Sequence, residues 1–205
     1  MSTGEGIAFE LRDESIDNKG NKDKGQKDKR LVIVEPEFAN TLVKCNARNS
    51  ILSGTIRKLF DGDQLEPLTK TDRTSCKEPH VGIVGHITPR ELVLRLDDVS
   101  ISNGFANRFP IFCGMAQELH PFPEVPCHEK MTELAKKLND VLDWANEEER
   151  TLIVSNCYKE LWINKYEYLK KLGAKDSIEQ SLLTRAPHYT TMYAMLLQRW
   201  KNLTK

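Results

Sequence analysis

A carboxylate directly follows one of the most apolar segments of the chain. Residues 31–34 read Leu-Val-Ile-Val and precede Glu35. Four consecutive apolar residues predict a strand buried on both faces, as in a parallel sheet. Ligands of open α/β sheets gather at the carboxyl ends of the strands, where a carboxylate can hold Mg²⁺ or its waters beside nucleotide phosphates. Glu35 is therefore a candidate metal-binding and catalytic residue, or an ordinary carboxylate in the turn after the strand.

A second apolar segment, residues 80–87, brings His86 and Thr88 to the same predicted edge. An imidazole there can sense a γ-phosphate or orient the attacking water, or it can be a turn residue with local hydrogen bonds. Thr88 precedes Pro89 and Glu91, which is the spacing of a helix start with a capping box. The hydroxyl of Thr88 therefore either caps a helix or binds nucleotide.

Arg108 follows two asparagines in a polar turn. Asn103 and Asn107 precede it, and residues 109–115 after it read as a third strand. A guanidinium in this position can contact nucleotide phosphates, in its own subunit or in a neighbouring one. It can equally pair with a carboxylate at the edge of the core. The two asparagines are candidate nucleotide ligands.

The elements that must position these residues alternate between strands and helices. Helical spacing occurs at 38–43 and 51–60 and again after Thr88, so residues 1–120 predict an α/β domain with a parallel sheet. Residues 15–30 are polar and carry six Lys or Arg and three Asp, which predicts a mobile loop that can touch nucleic-acid phosphates. Residues 121–205 predict a helical C-terminal subdomain, with its last helix interrupted at Pro187.

Composition narrows the class of protein. The chain has 205 residues, with 30 Lys and Arg against 30 Asp and Glu, so overall charge favours no particular partner. Five cysteines without C-x-x-C spacing argue against a disulfide framework or a zinc ribbon. No apolar run approaches the ~20 residues of a membrane helix, and the first residues lack the pattern of a secretory signal. We expect a cytoplasmic protein without a membrane partner.

One motif of nucleotide-binding proteins is missing from the sequence. The phosphate-binding loop reads G-x-x-x-x-G-K-[ST]. Residues 20–27 resemble it superficially, but Asp28 stands where the Ser or Thr that binds Mg²⁺ is required. No strand is predicted directly before this segment, and no helix after it.

Taken in order, four stretches resemble one family. They are residues 2–7 with Arg12 and Asp13; residues 30–39; a third stretch from Asn49 through Arg57 and Asp61-Gly62 to residues 68–70; and Gly-His-Ile-Thr at 85–88 followed by Asn-Gly-Phe-Ala-Asn-Arg-Phe at 103–109. The family comprises the primase–helicase ATPases of phages, plasmids and mobile elements, described as a domain of unknown function. The chain resembles its C-terminal part.

The resemblance implies a truncated RecA-like parallel sheet flanked by helices, with the phosphate loop upstream of the matching segment. It places Glu5 at a catalytic carboxylate, Glu35 and Glu37 beside nucleotide and Mg²⁺, and His86 at a sensor position. Arg108 falls at a phosphate-contacting or finger-like position. ATP and Mg²⁺ are the cofactors implied for the intact domain, and none is expected for this chain alone. Implied partners are DNA, an upstream polypeptide that carries the phosphate loop, and further copies of the intact protein.

Three functions follow from these patterns. The first is an incomplete motor, the C-terminal portion of a DNA helicase or primase-associated ATPase that is inactive alone. The second is a module without catalysis that binds DNA or a replication protein. The third is a non-functional gene fragment.

Overall fold

In the computed structural model, the described residues are 3–16, 20–66, 74–115, 121–122, 125–149, 151, 153–175 and 177–203. The chain divides into two compact units, Met1–Phe109 and Pro110–Lys205, and each is described by itself. The predicted division at 120/121 lies somewhat later in the chain. The matching segments at Ser2 and at residues 68–70 lie outside the described residues.

The first unit is built around two parallel strands. Strand β3 is Arg30–Glu35 and strand β4 is His80–Gly85, and they pair in register from Arg30 opposite His80 to Glu35 opposite Gly85. Their connection contains helices α2, Phe38–Cys45, and α3, Leu52–Asp61. Helix α1 is Gly4–Glu10, and α4 and α5, Pro89–Arg95 and Asp98–Ser102, follow β4. The predicted mixed α/β class is confirmed, with a sheet of few strands.

The core of this unit lies on one face of the sheet. Alternate residues of a strand point to opposite faces, and Leu31, Ile33, Val81 and Ile83 pack against the core. The buried core residues are Ile7, Leu11, Phe38, Leu42, Cys45, Leu52, Ile56, Leu59, Leu65, Cys76 and Phe105.

The opposite face of the sheet is exposed in the part of the chain that the structure describes. Val32 is 70 % exposed, Val34 60 % and Val84 50 %. The prediction of strands buried on both faces is therefore wrong for this unit. The four apolar residues of β3 belong half to the core and half to a surface, because the described helices cover one face only.

Residues 109–115 do not form the predicted third strand. Phe109 instead packs its ring against Phe38 and Phe105, with ring centroids 5.1 and 5.2 Å apart. Residues 110–115 have no regular secondary structure. Phe109 therefore belongs to the aromatic part of the core and not to a strand. A RecA-like sheet is not confirmed.

The charged segment 15–30, predicted as a mobile loop, has ordered contacts on both sides of residues 17–19. Strand β1, Ser15–Ile16, pairs antiparallel with β2, Lys22–Asp23. Asp23 accepts a hydrogen bond from Arg12 Nε at 2.5 Å, and Lys29 Nζ lies 2.8 Å from Asp13 Oδ1. These pairs tie the segment to the end of α1. Residues 17–19 lie outside the described part of the chain.

The second unit is helical in its described residues. Its helices are α6, His128–Glu147; α7, Asn156–Lys170; α8, Ile178–Leu183; and α9, Ala186–Leu203. Ser155 caps α7 by accepting a hydrogen bond from the Tyr158 amide, and Tyr158 reaches Thr191 of α9 through a 3.1 Å hydroxyl pair. The predicted interruption of the last helix occurs as a break between α8 and α9, with Pro187 in the first turn of α9. That turn tolerates proline because its amides have no helical acceptor.

Among the described helices, none is both long and apolar enough to cross a membrane.

Candidate functional site

The carboxyl ends of β3 and β4 bring Glu35 and His86 together. Glu35 pairs with Gly85 in the strand register, and the amide of His86 donates to the carbonyl of Glu35 at 3.0 Å. Glu35 is 9 % exposed, whereas His86 is exposed. A buried carboxylate and an exposed imidazole thus come from adjacent residues of one sheet edge.

The start of α2 is fastened to the same edge. The amide of Phe38 donates to the carbonyl of His86 at 2.9 Å. A Cβ added to Gly85 would lie 2.6 Å from Cδ2 of Phe38, so the ring packs where a side chain at residue 85 would be. Glycine at this position allows Phe38 to hold His86 against the end of β3.

Glu37 and Thr88 are engaged by their own helices. Glu37 Oε2 accepts a hydrogen bond from Asn40 Nδ2 at 2.9 Å. Thr88 Oγ1 accepts from the amide of Glu91 at 3.2 Å and lies 2.8 Å from Glu91 Oε2. The helix start predicted at Thr88 is confirmed, because its hydroxyl satisfies an amide at the start of α4 that has no helical acceptor. The Glu91 carboxylate accepts from the Thr88 hydroxyl, whereas in a capping box it would accept from the Thr88 amide.

Arg108 pairs with a carboxylate of its own unit. Its Nη2 donates to Asp61 Oδ2, and its Nη1 donates to the carbonyl of Gly104 at 2.6 Å. The guanidinium carbon also lies 5.8 Å from the ring centroid of Phe60. The side chain is 10 % exposed. Of the two predicted roles, the pairing with a carboxylate at the edge of the core is the one observed.

The two asparagines of the same turn have different surroundings. Asn103 Oδ1 accepts from the amide of Phe105 at 2.9 Å, and its carbonyl accepts from Arg57 Nη1 at 3.3 Å. Asn107 is half-buried in the short 3₁₀ turn Ala106–Arg108. Asn103 lines a cavity described below, away from Glu35.

Glu5 lies in the first turn of α1. Thr3 caps this helix by accepting a hydrogen bond from the amide of Gly6 at 3.1 Å. Glu5 is exposed and lines the same cavity as Asn103. The structure therefore brings together two of the four predicted catalytic residues, Glu35 and His86, and places Glu5 and Arg108 elsewhere in the unit.

That cavity has a volume of about 630 Å³ and was not expected from the sequence. It lies among α1, the C-terminal end of α2, the first turns of α3 and residues 97–103. Its polar lining includes Ser53 and Arg57 of α3. The i,i+4 spacing of these two residues was the signal available in the sequence, since that spacing places both on one face of a helix.

Two titratable groups of the cavity wall have shifted pKa values. Hydrogen bonds from Ser100 hold the pKa of Asp97 below its ordinary value, so this carboxylate stays charged near neutral pH. Burial raises the pKa of the Cys45 thiol to about 11. Cys45 is therefore a protonated thiol near neutral pH and not a nucleophile.

The donors at the sheet edge fit one part of a magnesium nucleotide site. Mg²⁺ is commonly held by one or two carboxylates together with substrate phosphates, and Glu35 supplies a buried carboxylate at the expected edge. Among the described residues, no three His, Cys, Asp or Glu side chains cluster as metal ligands.

Comparisons with protein-family models, with curated proteins and with solved structures find no match for this chain.

Proposed function

We propose that the chain is part of a RecA-like ATPase of a mobile-element DNA replication protein, with its nucleotide-facing side at the carboxyl ends of β3 and β4. The juxtaposition of Glu35 and His86 carries the proposal. Parallel pairing puts both residues at the edge where α/β sheets bind their ligands. The ordered sequence motifs at 30–39, 85–88 and 103–109 supply the link to replication ATPases.

Each residue of the edge has a role that suits its burial. The Glu35 carboxylate, 9 % exposed, would hold Mg²⁺ or its waters. The exposed imidazole of His86 would contact the γ-phosphate or orient the attacking water. Mg²⁺, when bound, neutralises charge that develops on the transferred phosphoryl group. The backbone hydrogen bond between His86 and Glu35 fixes the spacing of the two residues.

Activity in this proposal requires a phosphate loop that these 205 residues do not contain. The sequence holds no G-x-x-x-x-G-K-[ST] motif, and without that loop the nucleotide lacks its main phosphate contacts. The exposed face of Val32, Val34 and Val84 supports a partner, because parallel sheets are usually covered on both faces. We propose that the polypeptide with the phosphate loop covers this face.

Hydrolysis assays test the proposal. The purified chain is expected to show no turnover of Mg-ATP. Co-expression with the product of the reading frame directly upstream is expected to give turnover, and Glu35→Gln to lower it at least about 100-fold, as for loss of a main electrostatic contact. Glu14→Gln, at an exposed carboxylate away from the edge, is the matched control and is expected to hydrolyse ATP like the unmodified complex.

Two results would contradict this function. Robust turnover by the chain alone would show that no partner supplies the phosphate loop. A reconstituted complex whose turnover is unchanged by Glu35→Gln would remove the sheet edge from the reaction.

A second candidate is a DNA-binding module without catalysis, and one observation favours it. Lys22, Lys24 and Lys27 are exposed on or beside the β1–β2 hairpin. Lys29 differs, because its ammonium also donates to the carbonyls of Leu11 and Arg12 at 2.7 and 2.8 Å. Among the described lysines of segment 15–30, Lys22, Lys24 and Lys27 are thus presented for phosphate contacts.

A further inference from the structure

The second unit buries few of its apolar side chains. Among its described residues one, Pro187, is buried. A unit of this length ordinarily buries a core of its own, so much of its apolar surface lacks a cover. Helix α6, His128–Glu147, shows this most clearly, because it is 20 residues long and has no buried residue.

One face of α6 is directed into its own unit. The helix packs against α9, and its half-buried residues are Lys137, Val141 and Trp144. Spacings of four and three residues put these side chains on one face. Lys137 Nζ also lies 2.7 Å from Glu133 Oε1, one turn earlier.

The neighbouring face of α6 carries an exposed apolar stripe, which consists of Met131, Leu134, Leu138, Leu142 and Ala145. Met131 is 54 % exposed, Leu134 55 %, Leu138 51 % and Leu142 48 %, and Ala145 is exposed. Spacings of three and four residues align the five side chains on one side of the helix, over about 21 Å of its length. This pattern is typical of a helix that packs lengthwise against another helix.

The apolar stripe is symmetric about Leu138. Leu134 and Leu142 lie four residues before and after it, and Met131 and Ala145 lie seven residues before and after it. If two identical helices pair antiparallel about a two-fold axis at Leu138, every residue of the stripe therefore faces a residue of the stripe in the other copy. Leu138 then meets Leu138, and Leu134 meets Leu142. A two-fold interface requires this kind of self-complementarity.

The charges of α6 favour the same antiparallel arrangement. Residues 128–137 contain three lysines and two glutamates, a net charge of +1, whereas residues 138–147 contain three carboxylates and no Lys or Arg, a net charge of −3. Antiparallel pairing brings each positive half opposite a negative half, and parallel pairing would place the two acidic halves together. The helix dipoles also interact favourably when the helices are antiparallel.

We propose that two copies of the chain form a two-fold dimer by antiparallel pairing of α6 along the apolar stripe. The symmetry of the stripe and the opposite charges of the two helix halves identify the occupant as a second copy. A contact between one helix and its copy is at the low end of interface sizes, below about 1,200 Å², so the dimer dissociates in the micromolar range. The dimer does not depend on the proposed nucleotide edge, which belongs to the first unit.

Sedimentation velocity of the full chain at about 1–100 μM tests the proposal. The unmodified chain is expected to change from monomer to dimer over this range. Leu138→Glu is expected to raise the dissociation constant at least about 30-fold, because it places two carboxylates against each other at the two-fold axis. Ile163→Glu, at an exposed apolar residue of α7, is the matched control and is expected to dimerise like the unmodified chain.

A pair of opposite charges tests the orientation and keeps the test decisive if Leu138→Glu does not fold. Leu134→Glu and Leu142→Lys are each expected to weaken dimerisation. The double variant is expected to dimerise at least about fivefold more tightly than either single variant, because antiparallel pairing joins the opposite charges twice in each dimer.

Four results would overturn the proposal. They are a monomeric chain at about 100 μM, equal dimerisation of Leu138→Glu and the unmodified chain, an equal loss of dimer in Ile163→Glu, and a double variant that dimerises no more tightly than its single variants.

Discussion

At the residue scale, Arg108 stabilises the end of a helix. Its guanidinium contacts Asp61, the last residue of α3, and lies near the preceding Phe60. A positive charge at a helix C-terminus interacts favourably with the helix dipole. Arginines that act on a neighbouring subunit must reach beyond their own surface, whereas this side chain is 10 % exposed. The observed contacts place Arg108 in the packing of its own unit, and its predicted phosphate contact stays a prediction.

Asp13 links the charged segment to the core and gives stability a pH dependence. Partial burial raises its pKa, but hydrogen bonds from Lys29 and the Lys77 amide outweigh burial and hold the pKa below its ordinary value. The folded state thus binds this proton more weakly than the unfolded state. The contribution is fully present above the unfolded pKa of about 3.9 and is lost as pH falls through the lower, folded pKa.

Asp13→Asn is expected to lower the free energy of unfolding at pH 7 by about 1 kcal/mol, the usual value of such a hydrogen-bonded pair. It is also expected to reduce the loss of stability between pH 5 and 3. Urea unfolding at several pH values measures both effects. Asp63→Asn, at an exposed carboxylate, serves as the control. If the free energy of unfolding depends on pH equally in both variants, Asp13 does not cause the pH dependence.

At the scale of elements, the close approach of α2 to β4 depends on Gly85. The Phe38 ring occupies the space where a Cβ of residue 85 would lie. Gly82, in the same strand, has no atom within 4 Å of the equivalent position. The packing of Phe38 therefore excludes a side chain at residue 85, whereas residue 82 has space for one.

Gly85→Ala is expected to destabilise the fold by about 1–3 kcal/mol, as for overpacking of a core. Gly82→Ala is expected to change stability by at most about 0.5 kcal/mol or to stabilise slightly, because glycine is unfavourable inside a strand. Urea unfolding of both variants makes the comparison. Equal destabilisation by the two substitutions would contradict the proposed packing of Phe38 against Gly85.

At the scale of the whole molecule, the first unit combines three surfaces with different chemistry. Its sheet edge carries Glu35 and His86, its sheet face exposes valines, and its hairpin exposes lysines. In the proposed function, the apolar face takes a protein partner and the edge a nucleotide. In the second candidate function, the hairpin contacts DNA.

The dependence of DNA binding on salt concentration tests the second candidate function. If the hairpin binds single-stranded DNA, changing Lys22, Lys24 and Lys27 to Gln is expected to weaken binding. It should also reduce the slope of log affinity against log salt by about 2, since each phosphate contact contributes about 0.7. Fluorescence anisotropy with a labelled oligonucleotide measures both. Changing Lys159, Lys165 and Lys175 to Gln is the charge-matched control, and an equal effect of the two triple substitutions would exclude a specific role of the hairpin.

The sequence by itself determined the local elements of the chain. The strand before Glu35 and the helix start at Thr88 could be predicted because they depend on residues within a few positions of one another. The adjacency of Glu35 and His86 also followed, since parallel strands share a carboxyl edge. The roles of these residues stay predictions.

Only the tertiary structure decided which faces are buried and which side chains meet. The four apolar residues of β3 do not reveal that one face of the sheet is exposed, because burial depends on where the helices pack. The partners of Arg108, Lys29 and Phe109 lie far away in the sequence, and so do the walls of the cavity around Ser53 and Arg57. Contacts of that kind leave no local pattern, since they depend on the path of the whole chain.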